Sequence, residues 1–183
     1  MTESGAKGRT SVHATAVVYR ESGVLILGPS GSGKSALALA LMARARSVGA
    51  FAALIGDDRV YVREAEGGRI VVSGAASTAG IIERRTVGLL AVRHEPAAVL
   101  RLAVELSERG EGWPRMPDAS DAMTIGRVRL PRLALDSGVS AADQAIAVEE
   151  QLVALAAQKQ LGISLEQSPA VHKNAAAEPS PPI

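Results

Sequence analysis

Cysteine is absent from all 183 residues, which excludes a disulfide scaffold, a thiolate nucleophile and any Cys-ligated zinc or iron–sulfur site. Aromatic residues are nearly as scarce, at 2% (Tyr19, Phe51, Tyr61 and Trp113). So few cannot form the base-stacking platform of a single-strand nucleic-acid binder, and the core has to be built from Ala, Val, Leu and Ile. An excess of charge of one sign is also missing, because 20 Lys and Arg against 19 Asp and Glu leave a formal net charge of +1. No overall field then draws the chain to nucleic acid or to a membrane, and any anion site must be local. No window approaches the roughly 18 uninterrupted apolar residues of a membrane span, and the opening MTESGAKGRT has no apolar segment of the signal-peptide kind, so a cytoplasmic location is expected. What the chain does have is 47% hydrophobic content, enough for one packed domain.

The first twelve residues are small and polar and are expected to form a mobile arm, 1–12. Thr15–Tyr19 and Val24–Leu27 are apolar, β-prone runs around Glu21-Ser22-Gly23, a strand, a turn and a strand. The second run is uninterrupted and should be buried on both faces. Gly28 to Ser32 contains only turn formers, and from about Lys34 a helical pattern runs to a stop at Gly49. Ala50 to Ile55 is expected as a neighbouring parallel strand that ends in Gly56-Asp57-Asp58. Val60–Val62 and Ile70–Val72 flank Glu66-Gly67-Gly68 as a hairpin, and Val87–Val92 is a further strand. The pattern of 97–106 fits strand or helix, 107–122 is a polar surface loop, and Met123–Leu135 alternates as a strand broken at Pro131. A helix follows Ser140, which with Asp143 resembles a capping box, and its Ile146, Val153 and Ala157 share a face. From 167 to 183 the chain carries four Pro and little to bury, which predicts a disordered tail behind a domain over 13–166.

One run carries specific chemistry. Gly28-Pro29-Ser30-Gly31-Ser32-Gly33-Lys34-Ser35 matches G-x-x-x-x-G-K-[ST]. A phosphate needs consecutive backbone N–H groups turned inward, which demands residues free of Cβ clashes, and the helix that follows adds the partial positive charge of its N-terminus. Lys34 is one of only four lysines in the chain; it would reach the β- and γ-phosphates of a nucleoside triphosphate, with the Ser35 hydroxyl on Mg²⁺. Asp57 and Asp58 close a strand run at the sheet edge where α/β proteins bind ligands. One could serve a metal and the other accept a proton, with divided roles because adjacent acids do not reach one atom unless the backbone kinks. The three histidines, His13, His94 and His172, have no metal-site spacing.

These residues resemble a known family. His13-Ala14-Thr15-Ala16-Val17, Gly23-Val24-Leu25-Ile26, the P-loop, Leu37-Ala38-Leu39 and Asp57-Asp58-Arg59-Val60 look like the catalytic domain of HPr kinase/phosphorylase. Gly80-Ile81-Ile82-Glu83-Arg84-Arg85-Thr86-Val87-Gly88 is similar to that family's G-L-I-E-V-R-G-L-G signature, and the likeness covers 13 to about 136. The length suggests the short form that consists of this domain alone. The resemblance implies an α/β P-loop kinase fold related to phosphoenolpyruvate carboxykinase, a mixed sheet with flanking helices and a strand at 97–106. It implies an ATP- and Mg²⁺-dependent kinase for a seryl residue of HPr, the phosphocarrier of the phosphotransferase system, and a hexameric homo-oligomer. Carried over by residue, Asp58 is the base, Asp57 and His13 line the phosphates beside Lys34, Ser35 and Glu83 serve the metal, and Arg85 fixes the signature loop.

The chain departs from the family pattern in two places. Arg84 and Thr86 stand where the signature has an apolar residue and Gly, and Thr resists the positive-φ conformations open to Gly. The Arg-Pro-Gly-Arg-Asn-like run of long members is replaced by Asp136-Ser137-Gly138-Val139-Ser140, and no Arg follows Arg132. Two alternatives therefore stand beside the HPr kinase: a nucleotide-binding regulator of the phosphotransferase system with impaired catalysis, and a small-molecule P-loop kinase or ATPase. Nucleic acid and membrane are not expected partners.

Overall fold

The computed structural model describes residues 8–110 and 121–161. In chain order the elements are β1 (Thr10–Val12), β2 (Thr15–Tyr19), β3 (Ser22–Leu27), α1 (Lys34–Ser47), β4 (Ala52–Gly56), β5 (Val60–Ala65), β6 (Arg69–Gly74), β7 (Ile81–Arg84), β8 (Gly88–Ala91), β9 (Ala97–Ser107), β10 (Ala122–Ile125), β11 (Val128–Asp136) and α2 (Ala141–Gln160). The main sheet runs β1-β5-β6-β9-β3-β2-β4, and β7 and β8 form a separate hairpin. The sheet is mixed, because β9 lies parallel to both β3 and β11 while β2 is antiparallel to its neighbours β3 and β4. This is the α/β architecture expected, with both helices on one face.

Strand β3 holds the two halves of the core together. Val24 and Ile26 point into a cluster with Leu37 and Leu41 of α1 and Val148 and Leu152 of α2, whereas Leu25 points into a second cluster with Val60, Val62, Ile70 and Val72 of the β5–β6 hairpin. All three are at most 1% exposed, as expected of a strand without polar alternation that is covered on both sides. The core is aliphatic as expected, and Tyr19 is its one large aromatic among the described residues.

Helix α1 ends with the N–H of Ala50 donating to the Ala45 carbonyl (2.8 Å) and that of Gly49 to Arg46 (3.3 Å), the paired bonds of a Schellman stop at the expected glycine. At the start of α2, Ser140 Oγ accepts from the Asp143 N–H at 3.2 Å and donates to its carboxylate at 2.7 Å, which is the expected cap.

Several expectations are corrected. The arm expected over 1–12 is a strand from Thr10, because Thr10–Val12 finds a free antiparallel edge at Val60–Val62. Strand β4 runs parallel to β3 but is not its neighbour: β2 lies between, antiparallel to both, and the direction of β4 still delivers Asp57 to the P-loop edge. Residues 123–135 are not one strand broken at Pro131. The chain turns at Gly126 and Arg127 into β11, which passes unbroken through Pro131. A residue without an N–H is accommodated there because Pro131 sits where β11 leaves its partner β10 and takes up β9 at Arg132. The face of α2 with Ile146 and Val153 is the outer one, 37% and 60% exposed, and the buried face is Gln144, Ala145, Val148 and Leu152. Residues 1–7, 111–120 and the tail 167–183, with His172, lie outside the described residues.

Glu149 ties the two helices to the sheet. Its carboxylate accepts from the Tyr19 hydroxyl at 2.6 Å and from Arg44 of α1, and its side chain is 13% exposed. The Tyr19 bond first, and then Arg44, outweigh burial and hold its pKa below the ordinary glutamate value. A depressed carboxylate pKa contributes stability that is present above the unfolded-state value and is lost as pH falls through the folded one. Glu149→Gln should therefore cost about 2 kcal/mol at pH 7, with the gap to wild type closing as urea melts are taken below about pH 4; a gap independent of pH would contradict this account.

Candidate phosphate and carboxylate site

The site gathers at the edge of the sheet where β3 and β4 end. Gly28 cannot be another residue without a shift, because a Cβ there would lie 2.6 Å from the Leu106 carbonyl oxygen and 2.6 Å from Ser32 Oγ. Ser32 Oγ is itself buried without a hydrogen-bond partner. Helix α1 begins at Lys34 on a glycine N-cap, Gly33, with no side-chain cap and no acid in its first turn. Its first N–H groups are thus left for a ligand, at the positive end of the helix. Lys34 is 8% exposed and folds back across its own loop, donating to the carbonyls of Gly28 and Pro29 at 2.9 Å each.

Asp57 is the centre of the arrangement. Its Oδ1 accepts from Thr15 Oγ1 at 2.6 Å and from Ser35 Oγ at 2.9 Å, and its Oδ2 lies 3.1 Å from both Ser35 Oγ and the Glu83 backbone N–H. Strand β2, helix α1 and strand β7 are all held to the end of β4 through this carboxylate. Asp58 points elsewhere. Its φ of 64° is the kink that divides the two acids, and its side chain is 82% exposed beside His13. His13 Nδ1 lies 3.0 Å from the Asp58 carbonyl and 3.1 Å from its carboxylate, while Nε2 faces Lys34 Nζ at 3.3 Å. One tautomer satisfies every contact, with Nδ1–H donating to Asp58 and Nε2 accepting from the Lys34 ammonium.

The β7–β8 hairpin brings the signature residues to the P-loop. It is pinned to β4 because the Leu54 N–H donates to the Arg93 carbonyl and the Glu95 N–H to that of Leu54, at 2.9 Å each. Gly31 has φ +83°, and a Cβ on it would meet Arg85 Nη2 at 3.0 Å, so the Arg85 guanidinium lies against the phosphate loop. Glu83 is exposed, and only its backbone touches Asp57. Thr86 does adopt the conformation that glycine would take, at φ 67°, a strained one for a β-branched residue.

The P-loop, Asp57, Asp58, His13 and Arg85 are brought together, and Asp57 is the carboxylate bonded to Ser35, while Glu83 reaches Asp57 through its backbone N–H. The oxygen donors Ser35 and Asp57 suit Mg²⁺, which takes one or two carboxylates and completes its shell from water and substrate phosphates. Among the described residues no three His, Cys, Asp or Glu side chains form a metal cluster. His94 is a surface residue, as expected. The sequence reading missed Thr15, a polar residue inside an apolar strand that is 0% exposed. It also missed Glu105, an acid inside the apolar run of β9 that lies opposite Leu27 in register and pairs with Arg132 at 2.7 Å. Arg132 also bonds Asp121 at 3.0 Å, so the last cation before α2 is held by two carboxylates.

A model of the family described as HPr Serine kinase C-terminal domain matches residues 6–167. Among curated proteins, an HPr kinase/phosphorylase of Streptococcus thermophilus is 32% identical over 134 residues, covering 68% of this chain and 41% of the relative. One of Bacillus licheniformis is 29% identical over 142 residues, 73% of this chain and 44% of the relative. The chain thus spans about two fifths of the length of the curated relatives it matches. The solved structure of the Hpr(Ser) kinase/phosphatase from Coxiella burnetii matches with a TM-score of 0.62 at 22% identity, over 84% of this chain and 98% of that one, a shared fold.

The strain at Thr86 is open to test. Thr86→Gly should raise stability in urea unfolding by about 0.5–1 kcal/mol, since relief of the left-handed strain exceeds the added chain entropy; a loss of stability would show that the loop does not depend on this angle.

Proposed function

This chain belongs to the HPr serine kinase C-terminal domain family, and from that premise we propose that it is an ATP- and Mg²⁺-dependent kinase of a seryl residue on an HPr-type phosphocarrier, acting in the cytoplasm to regulate carbon or nitrogen metabolism. The observation that carries the reading is the division between the two acids: Asp57 is bonded to the P-loop hydroxyl of Ser35, while Asp58 is turned out to solvent beside His13 and Lys34.

In this reading the glycine-rich turn and the uncapped start of α1 bind the triphosphate, and Lys34 exchanges its carbonyl contacts for phosphate oxygens. Ser35 and Asp57, with Glu83 brought beside Asp57 by its backbone N–H, would hold Mg²⁺, which when bound neutralises phosphate charge. Asp58 accepts the proton of the seryl hydroxyl, its exposure leaving room for a protein substrate. His13 positions Asp58 through Nδ1–H and faces Lys34 through Nε2. Arg85, lying on Gly31, supplies a cation beside the phosphates. The exposed Ile146 and Val153 on α2 and Leu161 just past its end offer apolar surface that further copies would cover in a hexamer.

A second reading rests on Arg132, which is occupied by Glu105 and Asp121: a regulator that binds nucleotide and a phosphotransferase component with negligible turnover. Incubation with labelled ATP, Mg²⁺ and HPr separates the two. The kinase yields phosphoserine on HPr and none with Asp58→Asn, whereas bound nucleotide without product selects the regulator.

At residue level, Lys34→Ala should abolish transfer and sharply weaken triphosphate binding, and Ser35→Ala should mainly raise the Mg²⁺ requirement. Arg85→Ala should lower kcat by about 10³-fold with nucleotide affinity little changed. Unchanged nucleotide affinity in Lys34→Ala, by calorimetry, would remove the site from the P-loop.

A further inference from the structure

A second concave site lies at the opposite end of the sheet. A groove of about 410 Å³ opens between the β2–β3 turn, the β5–β6 turn, the start of β9, the strand β11 and the C-terminal half of α2. This volume is in the range of small-ligand pockets. Strand β3 enters beside the groove at Ser22 and leaves into the P-loop after Leu27, so the two sites are separated by about 17 Å of extended chain.

Its lining has two parts. The apolar part includes Leu100, Pro131, Leu152 and Leu155. The polar part is cationic: Arg69, Arg101 and Lys159 face one carboxylate, Glu21. Arg101 and Lys159 form no ion pair among the described residues, and Arg69 donates only its Nε–H, to the Glu66 carbonyl at 3.2 Å. Arg129 also lines the groove but has an interaction of its own. In a chain whose net charge is +1, three cations around an apolar floor are a local field of the kind that recruits anions. The nearest counterpart, the P-loop, binds phosphate through backbone N–H groups; this groove instead offers side-chain charge beside carbon.

We propose that this groove binds a small amphipathic anion, an apolar body bearing a phosphate or carboxylate head, at a site separate from the nucleotide. The head is met by Arg101, Lys159 and Arg69 through charge-assisted hydrogen bonds, and the body lies on Leu100, Leu152 and Leu155.

Titration of the full chain with hexyl phosphate and with hexanoate tests this, followed by amide NMR shifts and with hexanol and inorganic phosphate as controls. Saturable shifts are expected at Leu100, Leu152 and Leu155, about tenfold tighter for at least one of the anions than for either control, and weakening with added salt. The stronger of the two anions identifies the head group. Arg101→Glu with Lys159→Glu should weaken binding by at least about tenfold, at an unchanged melting temperature, whereas Lys34→Ala should leave it intact. The same titration on wild type saturated with ATP keeps the groove distinct from the P-loop, so failure here and failure of the kinase reading are separate results. Equal binding of hexanol, shifts confined to residues 28–35, or a folded double variant that binds like wild type would each overturn the proposal. A double variant that melts early is replaced by Lys159→Glu alone, for which binding like wild type counts against the proposal in the same way.

Discussion

A carboxylate taken partly out of water must be given donors, and the geometry of this site follows from how Asp57 is given three. Thr15, Ser35 and the Glu83 N–H come from β2, α1 and β7, elements far apart in sequence. Each would lose a partner if one strand slipped in register, and the half-buried carboxylate would be left short of donors, at a cost of about 1 kcal/mol per missing bond. The position of Asp57 is in turn set by β4, whose direction matches that of β3 only because the antiparallel β2 lies between them. A single polar knot thus locks the phosphate loop, the acid pair and the signature hairpin into one edge.

The rest of the fold supplies the rigidity this knot needs. Strand β3 is covered on both faces, by the two helices and by the β5–β6 hairpin, so the P-loop springs from a deeply buried strand of the sheet. Helix α1 is held at its far end by Arg44 on Glu149, and the same carboxylate takes the Tyr19 hydroxyl from β2. Both ends of α1 are therefore referred to the sheet through carboxylates, Asp57 at one end and Glu149 at the other. Between them the contacts are aliphatic, which costs no polar desolvation and lets the helix seat closely.

How much could be seen in the sequence depended on whether the signal was local. The β2–β3 hairpin, the glycine stop of α1 and the Ser140 cap were legible because each is written in adjacent residues. So were the P-loop motif and the need for a backbone kink if Asp57 and Asp58 were to point in different directions. Other features were not local. Thr10–Val12 looked like an arm because its partner, Val60–Val62, lies about fifty residues on. Pro131 looked like a break because nothing nearby shows that β11 changes partners there. The α2 face was misassigned because Ile146 and Val153 are apolar yet outward, whereas the smaller Ala145 and the polar Gln144 are buried. Thr15 and Glu105 were missed since a lone polar residue in an apolar strand has meaning only once the group opposite it is known.

The amino-acid sequence alone determined the chemistry available: a phosphate loop with its lysine, an adjacent acid pair, a signature with Arg85, an aliphatic core and no cysteine. These are covalent facts or depend on backbone conformations set by neighbouring residues. Tertiary structure decided which groups meet. It bonded Ser35 to Asp57, laid Arg85 on Gly31 and committed Arg132 to two carboxylates. It also collected Arg69, Arg101 and Lys159 around one groove. Hydrogen bonds and ion pairs act over a few ångströms, and only the packed sheet brings residues separated by tens of positions within that range.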